Sequence, residues 1–96
     1  MTEAFDDRVE RLIATLDSLV GLLRASDQEF WADWIETARE QIQRRDPSGL
    51  DYLLSAYGGM GSLNDLYLGQ DTDCFDALKN DAWSSSMELR RELLRP

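Results

Sequence analysis

Apolar side chains recur every three or four residues along most of this 96-residue chain, which is the spacing of amphipathic helices. One apolar stripe predicts a first helix over residues 3–25. A break at Ala25-Ser26-Asp27 follows, and Ser26 with Glu29 has the spacing of a capping box. The second helix is then predicted to run to about Arg45. Its inner face is predicted to carry Trp31, Trp34, Ile35, Ala38 and Ile42.

The third helix is short, and its limits are set by residues that favour helix ends. Asp46 is predicted to cap it, and Pro47 suits the first helical position because its missing N–H would have no partner there. The apolar positions that follow predict a helix as far as Tyr57. Gly58 is expected to end this helix in the left-handed conformation that glycine adopts readily.

A glycine-rich stretch separates the third helix from the last one. The glycines at positions 58, 59 and 61 are expected to form a tight turn that lets backbones pack closely. Ser62 is predicted to cap a short turn of helix, residues 66–68 allow either a turn or an extended course, and residues 69–73 are expected to form a loop. The last helix is predicted from near Asp73 to Leu94. Ser84-Ser85-Ser86 leaves open whether it is continuous or kinked.

Four helical segments with short connections predict an all-α fold. The expected architecture is a small four-helix bundle-like domain over residues 1–96, with a glycine-rich loop between helices 3 and 4. Burial in the core is the simpler expectation for Trp31 and Trp34. The alternative is that Phe30, Trp31 or Trp83 stays exposed and marks a contact surface.

The charge of the chain bears on its partners. Nineteen acidic residues against ten basic ones give a net charge of −9, which is spread along the whole chain. Such a surface repels phosphate backbones and anionic lipid, so no nucleic-acid or membrane partner is expected, whereas a basic protein is attracted. The plainer interpretation is that the charge maintains solubility. The chain starts without signal-peptide features and has no long apolar run, so a cytoplasmic location is predicted.

Several chemistries are disfavoured by residue type. The chain has one cysteine, Cys74, and no histidine, whereas tetrahedral zinc sites and histidine-assisted nucleophiles need these residues. Asp71 begins an acidic stretch, but an EF-hand loop counted from it would place Ala82 where the bidentate glutamate is required. The glycines before Ser62 resemble a phosphate-binding loop without the lysine it needs. We therefore predict no cofactor, no metal and no enzymatic activity.

One string of residues is specific enough to suggest a family. It is Gly58-Gly59-Met60-Gly61-Ser62-Leu63-Asn64-Asp65, and it follows a helix that contains Trp31-Ala32-Asp33-Trp34-Ile35. Together with the terminal helix, these residues resemble a family of small bacterial proteins that form a domain of unknown function. The resemblance spans residues 10–94 and implies an architecture and a bacterial origin. In size and acidity the chain is also similar to bacterial toxin-immunity proteins.

Two kinds of binding function are compatible with these features. The first is a non-enzymatic protein-interaction module, such as an immunity or inhibitor protein for a basic bacterial toxin. Its predicted contacts are Asp33, Glu36 and Glu40 on the second helix and Ser62, Asn64 and Asp65 in the loop. The second is a small-ligand-binding domain that uses the loop over residues 58–68. Its predicted site is Tyr57, Ser62, Asn64, Asp65 and Tyr67. A homo-oligomeric structural protein is a further alternative.

Overall fold

The computed structural model describes residues 2–58 and 62–93, with side chains from residue 5 onward. Its helices are α1 (Thr2–Ala25), α2 (Glu29–Gln43), α3 (Ser48–Leu54) and α4 (Thr72–Leu93). Three short 3₁₀ helices lie between α3 and α4, at Ser55–Tyr57, Leu63–Asp65 and Gly69–Asp71. Because these residues form four helices and no strand, the predicted all-α fold is confirmed.

The core lies between α1 and the helices that pack on it. α1 contacts both α2 and α4, and α3 packs mainly on α2. α1 contributes a stripe of five buried apolar residues from Val9 to Leu23, at the spacing that the sequence predicts. Phe75 of α4 and Leu63 of the second 3₁₀ helix are fully buried. The glycine-rich connection therefore helps to complete the core.

α1 ends in a Schellman motif. The N–H of Gln28 donates to the carbonyl of Leu23 at 2.8 Å, and the N–H of Asp27 donates to that of Arg24 at 3.1 Å. Asp27 has the left-handed conformation that this motif requires, with φ at 61°. The predicted capping box is wrong. Gln28 occupies the N-cap position of α2, and Glu29 forms an ion pair with Arg24.

The same motif ends α2 two residues earlier than predicted. The N–H of Asp46 donates to the carbonyl of Gln41 at 2.9 Å, and Arg45 has a left-handed φ of 62°. α3 begins at Ser48, with Pro47 at the N-cap position and not at the first helical position. Asp46 nevertheless binds the start of this helix as predicted, because its Oδ1 accepts from the backbone N–H of Ser48 at 3.0 Å and from its hydroxyl at 2.7 Å. These hydrogen bonds hold the pKa of Asp46 below its ordinary value.

Close packing of α3 on α2 depends on Gly49, whose role the sequence analysis missed. Gly49 is buried, and a Cβ atom on it would lie 2.9 Å from Cβ of Gln41 and 3.0 Å from Cγ1 of Ile42. Real Cβ atoms essentially never come closer than 3.0 Å to another atom, so the contact with Gln41 could not form without a shift. A side chain at this position would therefore push the two helices apart.

The end of the third helix differs from the prediction. α3 stops at Leu54 and continues as the 3₁₀ helix Ser55–Tyr57. Gly58 has φ at −98° and ψ at 135°, so it is extended and does not end the helix in the left-handed conformation. The 3₁₀ helix ends at Tyr57 and the chain becomes extended at Gly58, so no left-handed residue is needed to end the helix. The remaining glycines of the predicted tight turn, at positions 59 and 61, lie outside the described residues.

α4 is one continuous helix from Thr72 to Leu93, so the helix is not interrupted at Ser84-Ser85-Ser86. Ser86 of this helix is fully buried. The predicted loop over residues 69–73 is instead the 3₁₀ helix Gly69–Asp71 followed directly by α4. The hydroxyl of Thr72 accepts a hydrogen bond from the N–H of Leu68 at 3.1 Å, which joins this connection to the start of the helix.

Candidate functional site

The residues predicted to bind a small ligand lie around the second 3₁₀ helix, and Tyr57 anchors them to α4. Its hydroxyl donates to the backbone carbonyl of Lys79 at 2.7 Å. Burial raises the pKa of the Tyr57 hydroxyl above its ordinary value, because the charged phenolate would lose its hydration there. Tyr57 is thus a neutral donor to the chain itself.

Ser62 and Asn64 form hydrogen bonds within the same segment. The hydroxyl of Ser62, which is buried, accepts from the backbone N–H of Asn64 at 3.3 Å, so the predicted cap of a short helical turn is confirmed. Nδ2 of Asn64 donates to the carbonyl of Tyr57 at 2.7 Å. Asp65 is exposed at the end of this turn, and the Tyr67 ring is 77% exposed. The side chains of Tyr57, Ser62 and Asn64 thus hydrogen-bond backbone groups of the protein itself.

The acidic residues predicted on the second helix meet an arginine from α1. Nη2 of Arg24 lies 3.1 Å from Oδ1 of Asp33 and 3.1 Å from Oε2 of Glu36, and Nη1 contacts Glu29. Hydrogen bonds to Glu36 and Asp33 raise the pKa of the Arg24 guanidinium above its ordinary value. Three carboxylates surround one guanidinium, so this cluster as a whole is negative. Glu40 is exposed one turn further along α2.

A cluster of four aromatic side chains lies on α2 and α3. The rings of Trp34 and Tyr52 are stacked, with centroids 4.6 Å apart and an interplanar angle of 11°. Nε1 of Trp34 also donates to the carbonyl of Tyr52 at 3.0 Å. Trp31 is 5.5 Å from Trp34, and Phe30 makes an edge contact with Trp31 at 5.0 Å. The cluster joins α2 to α3 and leaves Phe30 at its outer edge.

Exposure within this cluster corrects the predicted inner face of α2. Its buried residues are Ala32, Ile35, Ala38 and Ile42. Trp31 and Trp34 are partly buried and pack against this core, so their predicted burial is confirmed in part. Phe30 is 66% exposed and Trp83 is 45% exposed. Phe30 and Trp83 are thus exposed, and their role in a contact surface stays a prediction.

An apolar cavity that the sequence analysis missed lies where the start of α1 meets the ends of α2 and α4. Its volume is about 180 Å³, and its apolar walls include Phe5, Val9, Ile42, Leu50 and Leu89. It is smaller than typical ligand pockets, which measure roughly 300–1,000 Å³. No predicted site residue lines it in the described structure. Periodicity could not reveal it, because its walls come from four separate helices.

Three further observations concern the described residues alone. They contain no group of three or more histidine, cysteine, aspartate or glutamate side chains placed to hold a metal ion. Cys74 is an exposed free thiol near the start of α4. Among the described helices, none combines the length and the apolar character that crossing a membrane requires.

Comparison with known proteins identifies a family. The model of the family described as a domain of unknown function (DUF6966) matches residues 24–74. This span includes Arg24, all of α2 and α3, and the 3₁₀ helices that follow. No curated protein and no solved structure matches the chain. Because the matched residues make up more than half of the sequence, the chain belongs to the DUF6966 family.

Proposed function

We propose that this protein is a non-enzymatic protein-interaction module with a basic protein as its partner. An immunity or inhibitor protein that neutralises a basic toxin is one such module. The observation that carries the proposal is the exposed side of α2. There three carboxylates surround one arginine, and the exposed Phe30 precedes one of them, Asp33, by three residues.

The carboxylates of this side remain accessible although they contact Arg24. The side chains of Glu29 and Asp33 are 62% and 72% exposed. A negative cluster on a protein of net charge −9 attracts a cationic partner over several ångströms and speeds the encounter. Salt screens this attraction, with a Debye length of about 8 Å at physiological ionic strength. The association is therefore expected to weaken as salt increases.

The glycine-rich segment is the less favoured contact surface. Tyr57, Ser62 and Asn64 use their side chains to hold the segment together, and a binding role would compete with those hydrogen bonds. The same point weakens the alternative of a small-ligand site there. We therefore place the partner on Asp33, Glu36 and Glu40, in preference to Ser62 and Asn64.

The proposal is tested by affinity capture from the source cell's lysate at low and at moderate salt. The wild type is compared with Asp33→Lys/Glu40→Lys and with Glu10→Lys/Asp71→Lys, a control pair with the same net charge and equally exposed positions elsewhere. We expect a basic protein to be captured at low salt by the wild type and the control, and lost with the α2 variant.

Two results would contradict the proposal. Equal capture by both double variants would show that α2 does not form the contact. Absence of any basic protein at low salt would remove the case for a basic partner. Circular dichroism of each variant confirms that the helices are retained before capture is scored.

A further inference from the structure

The contacts of Arg24 show which chemical group the acidic side of α2 can hold. The guanidinium extends from the last turn of α1 and hydrogen-bonds Asp33 and Glu36, while also pairing with Glu29. Ionised carboxylates accept through two oxygens each, with about four acceptor positions per group. The three carboxylates therefore offer more acceptor positions than one guanidinium with five N–H donors fills.

The exposed Phe30 of α2 packs against two tryptophan rings. Phe30 precedes Asp33 by three residues, so these two side chains are neighbours on the surface of the helix. Its ring is 66% exposed, and it is held by an edge contact to Trp31 and a tilted contact to Trp34 at 5.9 Å. A ring fixed in this way loses little conformational freedom when a ligand stacks on it.

We define the acid–aromatic face as Glu29, Phe30, Asp33 and Glu36. We propose that this face binds arginine side chains of the basic partner, and that Arg24 competes with them for the same carboxylates. The proposal rests on the proposed function and adds the chemistry of recognition to it. Partner arginines take the acceptor positions that Arg24 leaves open, stack on Phe30, and displace Arg24 from part of the cluster.

Arginine suits this face better than lysine for two reasons. Its planar guanidinium can hydrogen-bond two carboxylates at once and can also stack on an aromatic ring, whereas an ammonium group is a compact, strongly hydrated charge. A second copy of this chain is the less favourable occupant. Each copy carries a net charge of −9, so two copies repel each other.

The first test uses two synthetic peptides that differ only in having arginine or lysine at four positions. Binding to the full chain is measured by fluorescence anisotropy at low salt. We expect the arginine peptide to bind about 3-fold more tightly, as stacking on one aromatic ring supplies. Phe30→Ala should remove this preference. Tyr67→Ala is the matched control, because that ring is 77% exposed outside the face, and it should retain the preference.

The second test addresses competition by Arg24. Arg24→Gln frees the three carboxylates, and we expect the arginine peptide to bind about 3-fold more tightly to this variant. Arg91→Gln changes the net charge equally at an exposed position of α4, and it should alter the affinity by less than about 1.5-fold by the screening argument. Thermal unfolding of each variant confirms that it is folded.

The outcomes separate this inference from the proposed function. Equal affinities for the two peptides, an equal effect of Phe30→Ala and Tyr67→Ala, or equal effects of Arg24→Gln and Arg91→Gln would each overturn the inference. A basic partner captured through Asp33 and Glu40 in the same circumstances would leave the proposed function standing. If neither peptide binds at low salt and no basic protein is captured, both fail.

Discussion

The segment over residues 57–65 and the acid–aromatic face of α2 both carry several polar side chains, but they differ in what those side chains contact. In the segment, Tyr57 and Asn64 donate to backbone carbonyls and Ser62 accepts from a backbone N–H. On the face, exposed carboxylates all pair with one arginine, Arg24. Clustered polar residues therefore do not by themselves indicate a binding site. Exposure and the identity of the hydrogen-bond partner decide between structure and recognition.

The largest expected effect concerns Tyr57, the anchor of the segment. Tyr57→Ala removes a largely buried ring and its hydrogen bond to Lys79, so we expect the free energy of unfolding to fall by about 3 kcal/mol. Urea denaturation followed by circular dichroism measures it. Tyr67→Ala should change the value by less than about 0.5 kcal/mol, since that ring is exposed. Similar losses for the two variants would contradict the structural role of Tyr57.

A second prediction concerns Gly49, at which α3 packs closely on α2. In the sequence, Gly49 lies between the two regions. We expect Gly49→Ala to lower the free energy of unfolding by about 2 kcal/mol, because overpacking outweighs the better helix propensity of alanine. Gly21→Ala is the matched control in α1, where nothing lies within 4 Å of an added Cβ. That change should stabilise the protein by up to about 1 kcal/mol. A stabilising Gly49→Ala would mean that the two helices are less closely packed than described.

A third prediction sharpens the role of the Tyr57 hydroxyl. Tyr57→Phe should cost about 1 kcal/mol at neutral pH, the contribution of one hydrogen bond. Burial raises the folded pKa of Tyr57 above the ordinary value of 10.0, so below pH 10 the group is protonated in both states. Above that pH the unfolded chain releases a proton that the folded chain retains. Stability therefore falls, by at most about 1.4 kcal/mol per pH unit for this group.

The free energy of unfolding of the wild type and of Tyr57→Phe is measured by urea denaturation between about pH 8 and about pH 11. These limits bracket the unperturbed tyrosine pKa of about 10. The slope above pH 10 should be smaller in the variant. Equal slopes of stability against pH for the two proteins would contradict the conclusion that burial raises the pKa of Tyr57.

The smallest expected effect on stability belongs to the acid–aromatic face. Asp33→Asn/Glu36→Gln removes two exposed partners of Arg24, and such surface pairs contribute little. We expect the free energy of unfolding to change by less than about 0.5 kcal/mol per pair. Binding of the arginine peptide should nevertheless weaken in this variant. A large loss of stability would show that the face is structural and would erase its contrast with the glycine-rich segment.

Several elements could be predicted because their causes are local. The apolar stripe of α1, the hydrogen bonds of Asp46 at the start of α3 and the cap formed by Ser62 each depend on residues close together in the sequence. The errors arose where two alternatives are locally similar. Ser26 with Glu29 has capping-box spacing, but Glu29 pairs with Arg24 and the backbone forms a Schellman motif with Asp27 in the left-handed conformation.

Composition and periodicity establish that this chain is helical and acidic and that it has one cysteine and no histidine, because they report each element separately. Which polar residues hydrogen-bond within the protein and which face solvent follows from the tertiary structure alone. Tyr57 reaches Lys79 across 22 positions, and Trp34 reaches Tyr52 across 18. Such contacts depend on how helices pack, and packing is fixed by the fit of side chains from separate elements.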